Sequence, residues 1–225
     1  MMQLINVNIF TVIVLGLAPG LFWSWIFWMQ VRGKDISVKI HIYLFFAGIA
    51  ILPLAAAVEF VLPFSRLVDM TIMAPLIEES CKLFVMYILA GRMLKYPSPV
   101  KGVGYAVATA LGFASAENVY MVLSAYLVPQ IMLGQSDPEF AFGLVWEVYI
   151  LRALFTVPSH ALWASFWGYA LGREIVINRV VFGAWLMAVV VHGLFNLMVF
   201  NFPPGAIIML LVFMVLWIIF YVLVQ

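Results

Sequence analysis

Four apolar stretches of the 225-residue sequence contain ionisable or amide side chains that a lipid bilayer would exclude. The stretches read APLIEESCK, GFASAEN, VPSHALW and VVHGLFN. Their chemically capable side chains are Glu78, Glu79, Lys82, Glu117, Asn118, His160, His192 and Asn196. Ionisable groups near the centre of a bilayer are costly, so a functional role is their default interpretation. Carboxylates and imidazoles together predict a hydrolytic or metal-binding centre inside the membrane.

The first stretch places two glutamates and a lysine on one helix. Glu78 and Lys82 are four residues apart and are predicted to pair along the helix face, whereas Glu79 points about 100° away. One carboxylate would then face a cavity, and the other would be held by the lysine or by a neighbouring helix. The alternative is a structural ion pair that anchors the helix, although such a pair does not need a second glutamate.

The other three stretches carry a mixed set of polar groups. His192 and Asn196 share a helix face, which suits two ligands of one cation, or a base beside an amide that donates to an oxyanion. Glu117 lies among small residues that allow close helix approach, and a neutral glutamate that only joins helices is its alternative. His160 follows Pro158, which is expected to kink the helix and to free a carbonyl near the site. A packed histidine without a catalytic role is the alternative for His160.

Three further residues are predicted to lie outside this site. Arg152 is five residues from Glu147 and is predicted to pair with it or with another helix. Trp23 is predicted to anchor its helix near the membrane interface, where tryptophan is enriched. Cys81 is predicted to pack rather than to act as a nucleophile.

The composition defines the fold class. Hydrophobic residues make up 67% of the chain, charged residues make up 9%, and the mean hydropathy is +1.15. A soluble fold could not cover its surface with so few charges, so we predict an all-α, polytopic integral membrane protein with a single domain over residues 1–225. The net charge of +1 argues against nucleic acid as a partner. A single cysteine excludes an internal disulfide and a cysteine-cluster metal site.

Apolar runs of about 20 residues and their breakers predict seven transmembrane helices that enclose the polar site. The predicted spans are 8–31, 38–62, 70–92, 101–128, 141–172, 180–200 and 205–224. The first span is too long for a cleaved signal peptide and is predicted to be retained. A polar connector over 129–140 is predicted to hold a short interfacial helix at most.

Basic residues are concentrated in the odd-numbered loops, which are therefore predicted to be cytoplasmic. These residues are Arg32, Lys34, Lys39, Arg92, Lys95, Lys101, Arg173 and Arg179. The even-numbered loops carry only Arg66. The prediction is a multi-pass protein of the cell membrane with its N-terminus outside and its C-terminus in the cytoplasm.

The predicted spans place the polar groups at one depth. At 1.5 Å per residue, Glu78 and His192 lie roughly 12 Å below the outer surface, and Glu117 lies roughly 16 Å below it. His160 lies roughly 18 Å above the inner surface. In a core about 30 Å thick, these four residues fall in one layer that is slightly toward the outer side. Agreement between four spans predicts that the residues meet.

The four motifs in this order resemble the PrsW family of intramembrane proteases. The motifs are E-E-x-x-K at Glu78–Lys82, F-x-x-x-E-N at Phe113–Asn118, the single His160, and H-x-x-x-N at His192–Asn196. The resemblance extends over about residues 17–196, including the segment from APGLFW to VRGKD. The chain is also similar to the wider superfamily of CAAX prenyl endopeptidases and bacteriocin-processing enzymes. There the second motif is F-x-x-x-H, and Glu117 at that position favours PrsW.

The resemblance implies hydrolysis of a peptide bond within or beside the membrane, in a membrane-anchored protein or peptide substrate. A well-known substrate in the family is a membrane-anchored anti-sigma factor, which is cut there at the first of its cleavage sites. Because the site lies toward the outer side, we expect cleavage near the outer boundary of the bilayer.

Two versions of the chemistry stay open. In one, Glu117, His160 and His192 bind Zn²⁺, which lowers the pKa of its water, and a second glutamate acts as base. In the other, Glu78 and Glu117 activate water without a cofactor, while His192 and Asn196 polarise the substrate carbonyl. Glu78 is the predicted activating base. Glu79, Lys82 and Asn118 are predicted to support it.

Three other functions are compatible with the same residues. A CAAX-type prenyl-protein endopeptidase would open its site to the cytoplasm and would have its N-terminus inside. A divalent-cation transporter would also place glutamates and histidines at mid-membrane, but should show an internal repeat, which the sequence lacks. A non-catalytic membrane scaffold would retain the residues without using them.

Overall fold

The computed structural model describes residues 9–31, 36–62, 64–91, 96–132, 138–201 and 215. Within these ranges every regular element is a helix, and no strand is present. The predicted all-α class is therefore confirmed. The predicted seventh span, 205–224, lies outside the described residues except for position 215.

Eight α-helices form the described part of the chain. They are α1 (Ile9–Val31), α2 (Val38–Val61), α3 (Arg66–Val68), α4 (Ala74–Ala90), α5 (Pro99–Met132), α6 (Pro138–Leu151), α7 (Val157–Glu174) and α8 (Arg179–Asn201). Two π-helical segments, Asp69–Met73 and Arg152–Thr156, join α3 to α4 and α6 to α7 without a break. The predicted loop over 129–140 is shorter than expected, because α5 continues to Met132 and α6 begins at Pro138.

Four helical segments are long and apolar enough to cross a membrane: Phe10–Val31, Val38–Val61, Pro99–Val128 and Arg179–Val199. They correspond to four of the predicted spans and confirm a multi-pass membrane protein. The predicted total of seven is not confirmed. The predicted spans 70–92 and 141–172 fall on the two helices that contain π-helical segments and carry several of the charged groups.

Helix α5 lies at the centre and packs against α1, α2, α4, α6 and α7. Small residues make this possible, because residues 102–115 are all buried and include glycines at closely packed helix crossings. A Cβ atom on Gly102 would meet the backbone of Gly168 and Gly172 in α7. Such contacts between small residues let membrane helices approach closely. The close crossing of α5 and α7 brings Glu117 and His160 within reach of one another.

Helices α4 and α7 begin in the same way. Each has a proline at its second position, Pro75 or Pro158, and each follows directly on a π-helical segment. Proline is tolerated in the first turn of a helix, but it has no N–H to donate to the preceding turn. The predicted irregularity at Pro158 therefore takes the form of a π-helical segment rather than a simple kink.

Candidate active site

Lys82 of α4 lies at the centre of a buried polar cluster. Its Nζ atom is 3.0 Å from Glu78 Oε2, 2.9 Å from Glu79 Oε1 and 2.9 Å from His160 Nδ1. The lysine side chain has no exposed surface, and its Nζ atom lies 4.4 Å from the centroid of the Phe113 ring. An ammonium group has three N–H donors, and three acceptors surround this one. The cluster thus satisfies a charge that would be costly in isolation.

The two glutamates share Lys82, which differs from the predicted division between them. Glu79 is three residues from Lys82 and Glu78 is four residues from it, and both spacings place side chains on one helix face. Glu79 is fully enclosed, and Trp167 Nε1 donates to its Oε2 atom at 3.1 Å. Glu78 retains slight exposure at 8%. Of the two carboxylates, Glu78 is the one that a small molecule could reach.

His160 of α7 contacts both Lys82 of α4 and Glu117 of α5. Because the Lys82 ammonium can only donate, His160 Nδ1 accepts, and the ring proton is assigned to Nε2. That Nε2 atom lies 3.2 Å from Glu117 Oε2. His160 is 1% exposed, so its orientation is fixed on both sides by protein groups.

His192 of α8 completes the cluster. Its Nδ1 atom lies 3.3 Å from Glu79 Oε1. Its ring stacks on Trp163 with a centroid separation of 3.9 Å and an interplanar angle of 18°. The His160 and His192 rings are 5.1 Å apart, so the histidines of two helices approach one another beside the glutamates of a third.

Arg152 is a member of the site that the sequence analysis placed outside it. Its Nη2 atom lies 3.0 Å from Glu117 Oε2, and its Nε donates to Asn118 Oδ1 at 3.1 Å. Asn118 Nδ2 in turn donates to the Gly16 carbonyl at 3.1 Å, which links α1 to the network. The available signal was an arginine in an apolar span, since such a residue needs a partner at membrane depth.

Asn196 lies one turn from His192 on α8, as predicted. Its Nδ2 atom donates to the Met70 carbonyl at 2.9 Å, within the π-helical segment before α4. The Met70 carbonyl therefore competes with a substrate oxyanion for the Asn196 amide, because it already accepts one of the two amide N–H groups.

A metal ion could be held by Glu78, His160 and His192, whose ligand atoms all lie within 4.8 Å of one another. This set contains Glu78 where the sequence analysis had Glu117, which instead contacts His160 Nε2 and Arg152. Two imidazoles and a carboxylate are a donor set of catalytic zinc sites. Each histidine also places one ring nitrogen near a second carboxylate, as metal-binding histidines usually do. The donor types therefore fit a zinc ion, and binding through His160 Nδ1 and Glu78 Oε2 would displace the hydrogen bonds that Lys82 makes to these two atoms.

The fold and this cluster define a multi-pass membrane protein with a buried cluster of glutamates, histidines and a lysine. The profile of the PrsW family intramembrane metalloproteases matches residues 23–224. The chain belongs to this family and is a peptidase. The predicted family and enzyme class are confirmed, and the roles of individual residues stay predictions.

Curated relatives share this assignment. Protease PrsW of Geobacillus kaustophilus (strain HTA426) is 25% identical over 198 residues, covering 83% of this chain and 79% of the relative. Protease PrsW of Clostridioides difficile (strain 630) is 24% identical over 231 residues, covering 94% and 88%. Protease PrsW of Oceanobacillus iheyensis is 29% identical over 148 residues, covering 64% and 60%. No solved structure matches the chain.

Proposed function

We propose that the protein hydrolyses a peptide bond of a membrane-anchored protein at the cluster around Lys82. The observation that carries this proposal is the convergence of Glu78, His160 and His192 from three helices within 4.8 Å. Polar groups with so little exposure at membrane depth are costly to maintain without a function. Membership of a protease family makes peptide hydrolysis the function to assign to them.

Glu78 is the proposed base that takes a proton from the attacking water. It is the more exposed of the two α4 glutamates, and Lys82 Nζ donates to its Oε2 atom at 3.0 Å. Glu79 is the proposed positioning carboxylate, because His192, Lys82 and Trp167 surround it completely. Glu117 is the proposed counter-ion of His160, 3.2 Å from its Nε2 atom; Arg152 pairs with Glu117 and donates to Asn118.

The family description implies a metal, and Glu78, His160 and His192 would hold it. A zinc ion bound there would supply a water of lowered pKa. With a metal bound, Glu78 would be one of its ligands; without a metal, Glu78 takes the proton from the water itself, and His192 polarises the scissile carbonyl. Metal content separates the two versions.

The proposed substrate is a membrane-anchored protein cut near the outer boundary of the bilayer, with an anti-sigma factor as the candidate suggested by the family. The supporting argument is the depth of the cluster together with the loop charges, which predict an external N-terminus. We propose the cell membrane as the location, with the C-terminus in the cytoplasm.

The test is cleavage of a fluorogenic transmembrane peptide by the purified protein in nanodiscs. Glu78→Gln should lower kcat by at least about a thousandfold, as expected for loss of a positioned base together with its water. Glu147→Gln is the matched control, because Glu147 is an exposed glutamate of α6. Full activity of the Glu78 variant would refute the proposed site.

Mass spectrometry of the same preparations determines the metal. About one zinc ion per chain, lost in Glu78→Ala and in His192→Ala, is expected for the metal version. A metal-free wild-type protein that cleaves the peptide, with both variants inactive, would assign the activation of water to the glutamates alone.

A further inference from the structure

Before each of the helices α4 and α7, one backbone carbonyl lacks its usual donor, because the second residue of the helix is a proline. In the π-helical segments each N–H pairs five residues back, as Ala74 N–H does with the Asp69 carbonyl and Val157 N–H with the Arg152 carbonyl. By the same spacing, the donor to the Met70 carbonyl would be residue 75, and the donor to the Ala153 carbonyl would be residue 158. Both of these residues are prolines and have no N–H.

An unpaired backbone carbonyl is costly at membrane depth, where water does not compensate for the lost hydrogen bond. In this protein a side chain of another helix satisfies each carbonyl. Asn196 Nδ2 of α8 donates to the Met70 carbonyl at 2.9 Å. Trp23 Nε1 of α1 donates to the Ala153 carbonyl at 2.8 Å. Two unrelated side chains therefore make the same bond at the same position of two π-helical segments.

Each capped carbonyl lies about two helical turns before a residue of the site, Met70 before Glu78 and Ala153 before His160. Ala153 adjoins Arg152, which holds Glu117, and the helix that follows carries His160. Met70 precedes the helix that carries Glu78 and Glu79. The position and rotation of the first turn of α4 and of α7 determine whether these side chains reach one another.

We propose that Trp23 is a positioning residue of the active site, which acts on Arg152 and His160 through the Ala153 carbonyl. Asn196 of α8 has the corresponding role for Glu78 and Glu79, through the Met70 carbonyl. The proposal rests on the function assigned above to the cluster. It assigns to Trp23 a role at the site in addition to any anchoring at the membrane interface. It also assigns the Asn196 side chain to the backbone of the π-helical segment before α4 rather than to the substrate.

The first experiment compares Trp23→Phe with Trp25→Phe in the peptide-cleavage assay. Phenylalanine keeps an aromatic ring but removes the N–H, which leaves the part-buried Ala153 carbonyl without its donor. We expect kcat to fall about tenfold in Trp23→Phe, with KM changed less than about twofold. Trp25 lies on the same helix and is 56% exposed, so its replacement should leave both constants within about twofold of wild type.

The second experiment is a double-mutant cycle with Pro158→Ala, which distinguishes capping of the carbonyl from packing of the ring. Alanine restores an N–H at position 158 and so provides a backbone donor for the preceding turn. We expect Trp23→Phe to lower kcat about tenfold with proline present and less than about twofold with alanine present. An equal loss in both backgrounds would overturn the proposal, because packing of the ring does not depend on the N–H of residue 158.

The same cycle is measured on the thermal unfolding midpoint, so it remains informative if Pro158→Ala lowers activity beyond detection. Trp23→Phe should lower the midpoint in the proline background and have little effect in the alanine background. This readout also separates the two proposals. Full activity of Glu78→Gln would refute the proposed catalytic site. An unchanged midpoint and an unchanged kcat in Trp23→Phe would refute only the proposed positioning role of Trp23.

Discussion

Lys82 is the single cation that two glutamates and a histidine share. Its three contacts span 2.9–3.0 Å, and none of the four side chains has more than slight exposure. Removing one member of a buried charged cluster leaves the others without compensation, which is far more costly than removing an exposed charge. The stability and the activity of the protein should therefore both depend on this lysine.

Lys82→Met should abolish cleavage and lower the free energy of unfolding by about 3–5 kcal/mol, because Glu78 and Glu79 lose their cation. Lys39→Met is the control, since Lys39 is exposed at the start of α2. Thermal unfolding in detergent measures both variants. An unchanged midpoint for Lys82→Met would show that the carboxylates do not depend on the lysine.

Arg152→Lys should lower kcat about tenfold or more while the protein remains folded. The guanidinium contacts Glu117 with one nitrogen and Asn118 with another, and a lysine cannot reproduce this planar fork. Arg179→Lys, at the exposed start of α8, should have no effect on cleavage. Equal activity of the two variants would show that the active site does not depend on the Arg152 guanidinium.

The sequence predicted the meeting of Glu78, Glu117, His160 and His192, because hydropathy places their spans and helix rise fixes their depth. It did not predict the partners of Arg152 or Trp23. Those contacts depend on a π-helical segment, whose extra residue rotates the side chains that precede it and is not visible in hydropathy. The sharing of Lys82 was also missed, because the spacing of Glu78 and Lys82 favoured one pair over two.

At the scale of elements, the central helix α5 depends on residues without side chains. Gly102 lies where a Cβ atom would meet the backbone of Gly168 and Gly172. Backbone atoms cannot move aside as the end of a flexible side chain can. The α5–α7 crossing that unites Glu117 with His160 therefore has little tolerance for added volume.

Gly102→Ala should lower the free energy of unfolding by about 1–3 kcal/mol, the usual cost of adding volume to a packed core. Gly183→Ala tests helix propensity alone, because a Cβ atom there would meet nothing within 4 Å. The control should be neutral or slightly stabilising. Similar unfolding midpoints for the two alanine variants would contradict the tight crossing.

Element boundaries followed the sequence where apolar runs are long. The predicted spans 8–31 and 38–62 correspond to Ile9–Val31 and Val38–Val61. The prediction was wrong about the extent of the loop after α5, because α5 continues to Met132 and α6 begins at Pro138.

At the scale of the whole molecule, orientation in the membrane decides which compartment supplies the substrate. The loop charges predict that the α2–α3 connection faces outward and that the α4–α5 connection faces the cytoplasm. Ser65 and Tyr96 lie in these two connections and are both exposed. They can therefore report the orientation directly.

In a Cys81→Ser background, a membrane-impermeant maleimide applied to intact cells should label Ser65→Cys and leave Tyr96→Cys unlabelled. Permeabilised cells provide the control, in which both should react. The reverse pattern would place the N-terminus inside, and the site would then lie closer to the cytoplasmic surface.

The Lys82 ammonium also bears on how a newly made chain matures. Zinc-finger domains remain unfolded until their metal arrives, because nothing else compensates for their clustered ligands. Here the acidic helix carries its own counter-ion, 2.9 Å from one glutamate and 3.0 Å from the other. Insertion into the bilayer and folding can therefore be complete before any metal is acquired. Prolonged dialysis against a chelator should leave the protein folded and competent for reconstitution, and loss of helical circular dichroism on dialysis would contradict this order of events.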